Sequence, residues 1–262
     1  MRQCPLCDQD LSPPKMLANL PLQSCRSCGF LGIDLDLWQS PYVEEDYYAD
    51  LVQPSVDWQR PFLQHRVAGV RRHRRSGRAL ELGAGMGETA LAMAQAGFHV
   101  DAVEESQKAV TFLQAHYPMV TWHQAEIMQF LENTPDGTYD AITLFHVLEH
   151  IPRPRRVVGE LSRVLSPEGV VAIEVPNLAG HHARFKKERW HYYHPHHVNY
   201  FHLGTLRFLM ESQGFSLLEH EGKFHFSHPQ GVWWKDMIKF SLAKIGFTDI
   251  LCTWWRRRRP QN

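Results

Sequence analysis

No window of the 262-residue chain approaches the ~18 uncharged apolar residues that a membrane-crossing helix needs. Its first residues, MRQCPLCDQD, hold no apolar signal region. Charge of one sign is not in excess: 28 basic and 28 acidic side chains cancel, so the broad field with which nucleic-acid binders gather phosphate is missing, and any such contact has to be local. Internal repeats and low-complexity linkers are absent as well, which excludes a solenoid or a long tethering segment. These absences leave a globular, cytoplasmic protein as the expectation. The length suits one main domain with a full core and a small appendage.

Cysteine is scarce, yet four of the five are grouped. Cys4 and Cys7 form C-P-L-C, and Cys25 and Cys28 form C-R-S-C-G, with seventeen residues between the pairs. Two tight turns that each present two thiolates close a tetrahedron around one ion, so residues 1–30 read as a zinc ribbon. Ligation of this kind contributes on the order of 10 kcal/mol, more than so short a segment gains from burial. A closed four-cysteine site leaves no open position for catalysis, so its role is structural. Two disulfides are the competing arrangement, disfavoured by adjacent C-x-x-C pairs in a chain without an export signal. Cys252 reads as a buried thiol.

The most informative stretch is ALELGAGMGETALAMAQAGFHVDAVEES, Ala79 to Ser106. Ala79 to Leu82 is a short apolar strand. Gly83, Gly85 and Gly87 then permit torsions and a close ligand approach that side chains forbid. Helix formers run from Glu88 to Ala96 and stop at Gly97, and Phe98 to Val103 alternates as the next strand. Glu104 stands at that strand's tip, where a carboxylate can accept both hydroxyls of a ribose. Open α/β sheets bind ligands at such tips. A dinucleotide is disfavoured, because the sixth place of G-x-G-x-x-G holds Glu88 in place of a small residue. Glu81 would repel a pyrophosphate but suits a cationic amino group or a sulfonium-bearing ligand.

At these residues the chain resembles the class I S-adenosylmethionine-dependent methyltransferases, whose first motif reads E-x-G-x-G-x-G and whose second acid holds the ribose. Glu81, Gly83, Gly85, Gly87 and Glu104 match that pattern. The resemblance continues through YDAITLFHVLEHIPRP, Tyr139 to Pro154, as the fourth strand and its loop, and through VVAIEVPNL as the fifth; it covers roughly Asp57 to Trp255. It implies a Rossmann-like, doubly wound α/β sheet of seven strands with an antiparallel final strand, and S-adenosylmethionine as cofactor beside the ribbon's zinc. The loop after the fourth strand, Phe145, His146, Val147 and His150, would line the methyl side, and the adenine would lie near Ala125 and Glu126.

Along the chain, residues 31–56 read as an aromatic connector and residues 57–262 as the methyltransferase domain. Asp57 to Arg75 is helical in pattern and ends in the basic run Arg71 to Arg75, which complements the helix dipole. Strand candidates stand at Ala79, Phe98, Met119, Tyr139 and Val170, followed by a helix at Thr205 to Gln213 and strands at Phe215 to His220 and Phe247 to Trp255, the last expected at the sheet's end. Val232 to Ile245 is amphipathic, with core packing, a lid and peripheral membrane contact as its three readings.

The segment ERWHYYHPHHVNYF, Glu188 to Phe201, is rich in histidine and follows the fifth strand, where the resemblance puts acceptor specificity. His197 or His150 is the candidate general base, weighed against a structural role for both. A minor alternative gathers His146, Glu149, His150 and a later histidine around a divalent ion; related enzymes use an E-x-x-E-H segment, and His146 in place of the first acid weakens the match. Three functions follow: methyl transfer to a small-molecule or glycan oxygen, nitrogen or carbon; RNA methylation, with the ribbon and Arg71 to Arg75 as the grip; and a non-catalytic module that binds S-adenosylmethionine. Nucleic acid is disfavoured by the neutral charge, and the oligomeric state stays open.

Overall fold

The structure is a computed structural model that describes residues 3–38, 61–223 and 248–258. Most of the connector, the start of the first helix, the amphipathic segment Val232 to Ile245 and the last four residues lie outside the described residues. Chain order is β1 (Lys15–Leu17), β2 (Leu20–Ser24), β3 (Leu31–Ile33), α1 (Pro61–His73), β4 (Gly77–Leu82), α2 (Glu88–Gln95), β5 (Phe98–Glu104) and α3 (Gln107–His116). There follow β6 (Thr121–Gln124), α4 (Ile127–Glu132), β7 (Tyr139–Phe145), α5 (Pro154–Val164), β8 (Leu165–Pro176) and α6 (His181–Lys186). The chain closes with β9 (Asn199–Tyr200), α7 (Leu203–Ser212), β10 (Phe215–Lys223) and β11 (Ile250–Arg257).

Seven strands form one sheet in the order β10-β11-β8-β7-β4-β5-β6. β4 through β8 pair parallel, as helical crossovers demand, whereas β11 runs antiparallel to both of its neighbours. The antiparallel strand therefore does not sit at the sheet's end, as its late position in the chain predicts. It inserts between β10 and β8, because its buried run Ile250 to Trp255 can be covered on both sides only in the interior. The strand expected at Met119 starts at Thr121, and the helix expected at Thr205 starts at Leu203, capped by His202 Nδ1, which accepts from the N–H groups of Gly204 and Thr205.

Strand alternation sends successive side chains to opposite faces. Leu80, Leu82, Val171 and Ile173 pack with Val157, Leu161 and Leu209 from α5 and α7, while Ala79, Val100 and Ala172 pack with Leu63, Val67 and Leu91 from α1 and α2. The same alternation delivers Glu81 and Glu174, each flanked by apolar strand residues, to the face covered by α1 and α2.

The cysteine lobe is a second small sheet, β1-β2-β3-β9. Its third strand lies past residue 30, and its fourth is contributed by the main domain, through the pairing of Leu31 with Tyr200. Cys4, Leu6 and Phe30 share one cluster with Leu206 and Leu209, so the lobe has a continuous core with the sheet it flanks. Among the described residues no helix is long and apolar enough to cross a membrane.

α1 lies close on the sheet at Gly69, where a Cβ would stand 2.4 Å from the ring of the buried Trp254. Gly69→Ala should destabilise the fold by about 1 kcal/mol net, since overpacking costs about 1–3 kcal/mol and the helix propensity of alanine returns only about 1 kcal/mol. Urea unfolding measures this. Equal or greater stability would mean that α1 rides higher over β11.

Candidate active site

The glycine turn joins the end of β4 to the start of α2. Gly83, Gly85 and Gly87 all hold left-handed backbone, with φ of 66°, 56° and 75°. A Cβ at Gly83 would strike Val147 at 2.7 Å and one at Gly87 would strike Trp122 at 2.4 Å, whereas one at Gly85 would meet nothing within 4 Å. Gly83 and Gly87 are thus required by packing. Gly85 borders open space, as a turn that lets a ligand lie against the main chain must.

Glu104, at the tip of β5, is buried and already engaged: Oε2 accepts from the N–H of Gly85 at 2.7 Å and Oε1 from the N–H of Ser106 at 3.1 Å. A carboxylate accepts about four hydrogen bonds, so capacity remains for a diol. Burial pushes the Glu81 carboxyl up to about 8; the nearby Arg66 guanidinium offsets only part of this, and its Oε2 has no partner. Glu126 accepts from the N–H of Gln129 at 3.3 Å and so caps α4, at the end of β6 beside Glu104.

Behind the turn runs a chain of buried charges that neither periodicity nor motif reveals. Arg66 donates to Glu174 Oε1 at 2.6 Å and to Thr89 at 3.1 Å, and its guanidinium lies 4.6 Å over the Phe145 ring. Lys223 meets Glu174 at 3.0 Å, and the Cys252 thiol donates to the same carboxylate at 3.3 Å. Burial would raise the Glu174 carboxyl, but Arg66, His146 and Lys223 hold it well below the usual carboxylate range. The visible signal in the sequence is one acid in VVAIEVPNL and one arginine on an apolar helix face.

His146, expected on the methyl side, is the link between two acids. Its Nε2 lies 3.2 Å from Glu174 and its Nδ1 lies 3.3 Å from Glu149, and the residue adopts a left-handed φ of 58° to reach both. Burial works against its charge, but Glu149 and Glu174 push its pKa up to about 9, so at neutral pH His146 is a fixed cation. A proton acceptor has to be sought elsewhere.

His150 and His197 do come together, their rings edge to face at 4.8 Å between centroids. His150 Nδ1 donates to the carbonyl of His196 at 2.9 Å and His197 Nδ1 donates to that of Tyr192 at 3.0 Å. Carbonyl oxygens only accept, so Nδ1 is the donor in both rings. Burial pulls His197 down to about 4, which keeps it neutral.

None of the five cysteines is joined in a disulfide. In the lobe the sulfurs of Cys4, Cys7, Cys25 and Cys28 lie within 4.8 Å of one another, with Cys4–Cys28 and Cys7–Cys25 both at 3.5 Å. Burial pushes Cys4 up to about 11, whereas at Cys25 the N–H groups of Cys28 and Ser27 outweigh burial and bring the thiol down to about 7. A cleft of about 770 Å³ beside the lobe is lined by Asp8, Asp34, Arg153 and Asn199, among others, but by no residue of the glycine turn.

Arg72 pairs with Glu219 and Glu221, and Arg74 with Asp140, so the basic run at the end of α1 is largely matched by carboxylates.

Residues 58–220 match the model of a family described as a methyltransferase domain. A probable S-adenosylmethionine-dependent methyltransferase of Mycolicibacterium smegmatis is 30% identical over 166 residues, which is 63% of this chain and 62% of that protein. A ubiquinone biosynthesis O-methyltransferase of Aromatoleum aromaticum is 31% identical over 104 residues, 38% of this chain and 44% of that protein. The chain thus spans less than two thirds of the length of these relatives. Among solved structures, an S-adenosylmethionine-dependent methyltransferase from Archaeoglobus fulgidus shares the fold at a TM-score of 0.57 and 18% identity, over 74% of this chain and 94% of that one. With the family match extending over more than half of its 262 residues, and with the glycine turn and paired acids at the tips of a seven-stranded sheet, the chain belongs to the class I S-adenosylmethionine-dependent methyltransferase family.

Proposed function

We propose that this chain moves the methyl group of S-adenosylmethionine to a small-molecule or glycan acceptor, with oxygen favoured among the acceptor atoms. The observation that carries the reading is the Gly85–Glu104 hydrogen bond beside an open stretch of left-handed backbone. The O-methyltransferases among the relatives support oxygen, and the carboxylate partners of Arg72 and Arg74 favour a small acceptor over RNA.

In this reading Glu104 holds the ribose diol, and Gly83, Gly85 and Gly87 allow the cofactor to lie on the main chain. Glu81 faces the amino group, Ala125 and Glu126 flank the adenine, and Phe145 and His146 border the methyl side. Bound S-adenosylmethionine supplies an electrophilic methyl carbon on a sulfonium. The protein's part is to orient the acceptor in line with that carbon, exclude water and handle the proton released from a hydroxyl. His150 is assigned the proton transfer, with Nδ1 held on the His196 carbonyl, while burial weakens His197 as a base and leaves its ring to pack edge to face against His150. The four cysteines are assigned to one structural zinc ion that stiffens the lobe.

Glu104→Ala should weaken cofactor binding by one to two orders of magnitude, about 1.4–3 kcal/mol, read by calorimetry with S-adenosylhomocysteine. An unchanged affinity would remove Glu104 from the ribose site.

Glu81 gives a pH signature. Below about 8 the buried acid is largely protonated, and a cationic ligand favours its ionised form, so affinity should climb as pH rises toward 8 and binding at pH 7 should release a proton. The same raised value gives Glu81 a stabilising contribution to the ligand-free fold that is full below about 4.5 and is lost as pH rises from there through about 8. Heats measured in buffers of different ionisation enthalpy report the proton, and Glu81→Gln should abolish the difference; a difference that persists in the variant would assign the proton to another group.

Cys4→Ser and Cys25→Ser should release zinc, measured by elemental analysis, and loosen the lobe while the glycine turn stays formed. Full zinc content in either variant would refute the ribbon.

A further inference from the structure

The cleft of about 770 Å³ between the cysteine lobe and the main domain has the size of a small-ligand site. The first cysteine turn, β2 and β3 supply one wall, and the turn after β7, the start of α5 and the residues leading into β9 supply the other. Two buried amides line it. Gln23 donates through Nε2 to Asp34 Oδ2 at 2.8 Å, and Asn199 donates through Nδ2 to the carbonyls of Leu148 at 3.3 Å and Ile151 at 2.6 Å. Both nitrogens are thus committed, whereas the oxygens Gln23 Oε1 and Asn199 Oδ1 have no partner among the described residues. The two residues are only 5% and 2% exposed. Buried acceptors left unmet are costly, and a mere seam between packed units has no use for them.

Charge decides what fits. Arg153, Arg155 and Arg156 line the cleft together with Asp8, Asp34 and Asp36, so its formal charge is zero. Arg155 pairs with Asp8 and ties the two walls together. Arg156 reaches Glu132 only at 3.4 Å, with both side chains more than half exposed, and Arg153 meets no carboxylate among the described residues. A ligand bearing phosphate or carboxylate would meet three like charges, and an amine would meet three guanidinium groups. A hydroxyl donates and accepts at once, so a ligand rich in hydroxyls satisfies the guanidinium groups and the amide and carboxylate oxygens together. The buried, apolar Phe30, Ile33 and Val198 suit the C–H face of a sugar ring. The cleft also borders the candidate proton acceptor: Asn199 holds both ends of the turn that carries His150.

We infer that this cleft binds an uncharged carbohydrate, and that a glycan is the class of acceptor this chain methylates. The acceptor assignment rests on the methyl-transfer reading; carbohydrate binding itself requires no turnover.

The test is saturation-transfer NMR on the full chain with its cysteine-bound metal in place. The probes are the methyl glycosides of glucose, galactose, mannose and rhamnose, with maltose and lactose, set against glucose 6-phosphate and glucuronic acid as charged counterparts. The expected result is saturable binding of at least one uncharged sugar, tighter than either charged one and weakened about tenfold or more in Arg153→Ala and in Gln23→Met. Arg153 is exposed and unpaired with any described carboxylate, so Arg153→Ala keeps the test decisive if Gln23→Met unfolds the lobe. Arg207→Ala, exposed on α7 and outside the cleft, is the control and should bind as the wild type does. Binding of none of the uncharged sugars, tighter binding of a charged one, or equal binding in Arg153→Ala would overturn the inference. S-adenosylhomocysteine binding on the same wild-type samples separates the two failures: cofactor binding without sugar binding defeats this inference alone, and sugar binding without cofactor binding leaves the carbohydrate site standing and defeats the methyl-transfer reading.

Discussion

A hydrogen bond of 2.7 Å from the N–H of Gly85 to Glu104 Oε2 ties the tip of β5 to the turn that leaves β4. It is charge-assisted and partly buried, so it is stronger than a neutral bond between the same atoms in water would be. Without it, three closely spaced left-handed glycines would be a floppy joint between strand and helix. With it, the turn has one shape, and the carboxylate stays on the edge of the opening that the turn surrounds. The main-chain pairing of Ala84 with Val103 at 2.9 Å and of Ala125 with Glu104 at 3.2 Å extends the same tie across three neighbouring strand ends.

Around that tie the fold sets three acids apart. Glu81 is buried without enough compensation and is pushed up toward neutrality; Glu174 is surrounded by cations and remains ionised; Glu149 is kept ionised beside His146 although burial opposes it. The differences come from which helix faces each strand residue. Arg66 on α1 reaches Glu174 directly, and Glu81 feels it only at a distance. The lobe contributes to the same region from outside. Ile33 donates to the carbonyl of Val198, one residue beyond His197, and Thr205 donates to the carbonyl of Gly29, so the cysteine cluster braces the loop that carries the histidines.

The strand, glycine turn, helix and acid are legible in the sequence because each is encoded locally: alternation over six residues, left-handed positions that glycine fills, and an acid at a strand end. The cysteine cluster is legible for the same reason. The charged chain is not, since Arg66, Glu174 and Lys223 are joined only when α1, β8 and β10 are laid side by side, and no local pattern encodes that. For the same reason the sequence marks His146 as a residue of the methyl-side loop but not as the link between Glu149 and Glu174. The insertion of β11 into the sheet and the pairing of β3 with β9 are long-range choices of burial and edge pairing. His150 and His197 are 47 positions apart in sequence, where each stands as a separate candidate; their edge-to-face contact and shared orientation belong to the fold.

The most direct measurement is a crystal structure with the demethylated cofactor bound. The account predicts both ribose hydroxyls on Glu104, the amino group beside Glu81, and the sulfur turned toward a cavity bordered by Phe145, His150 and His197. A ribose bound elsewhere, or a turn plugged by side chains from the neighbouring helices, would contradict it.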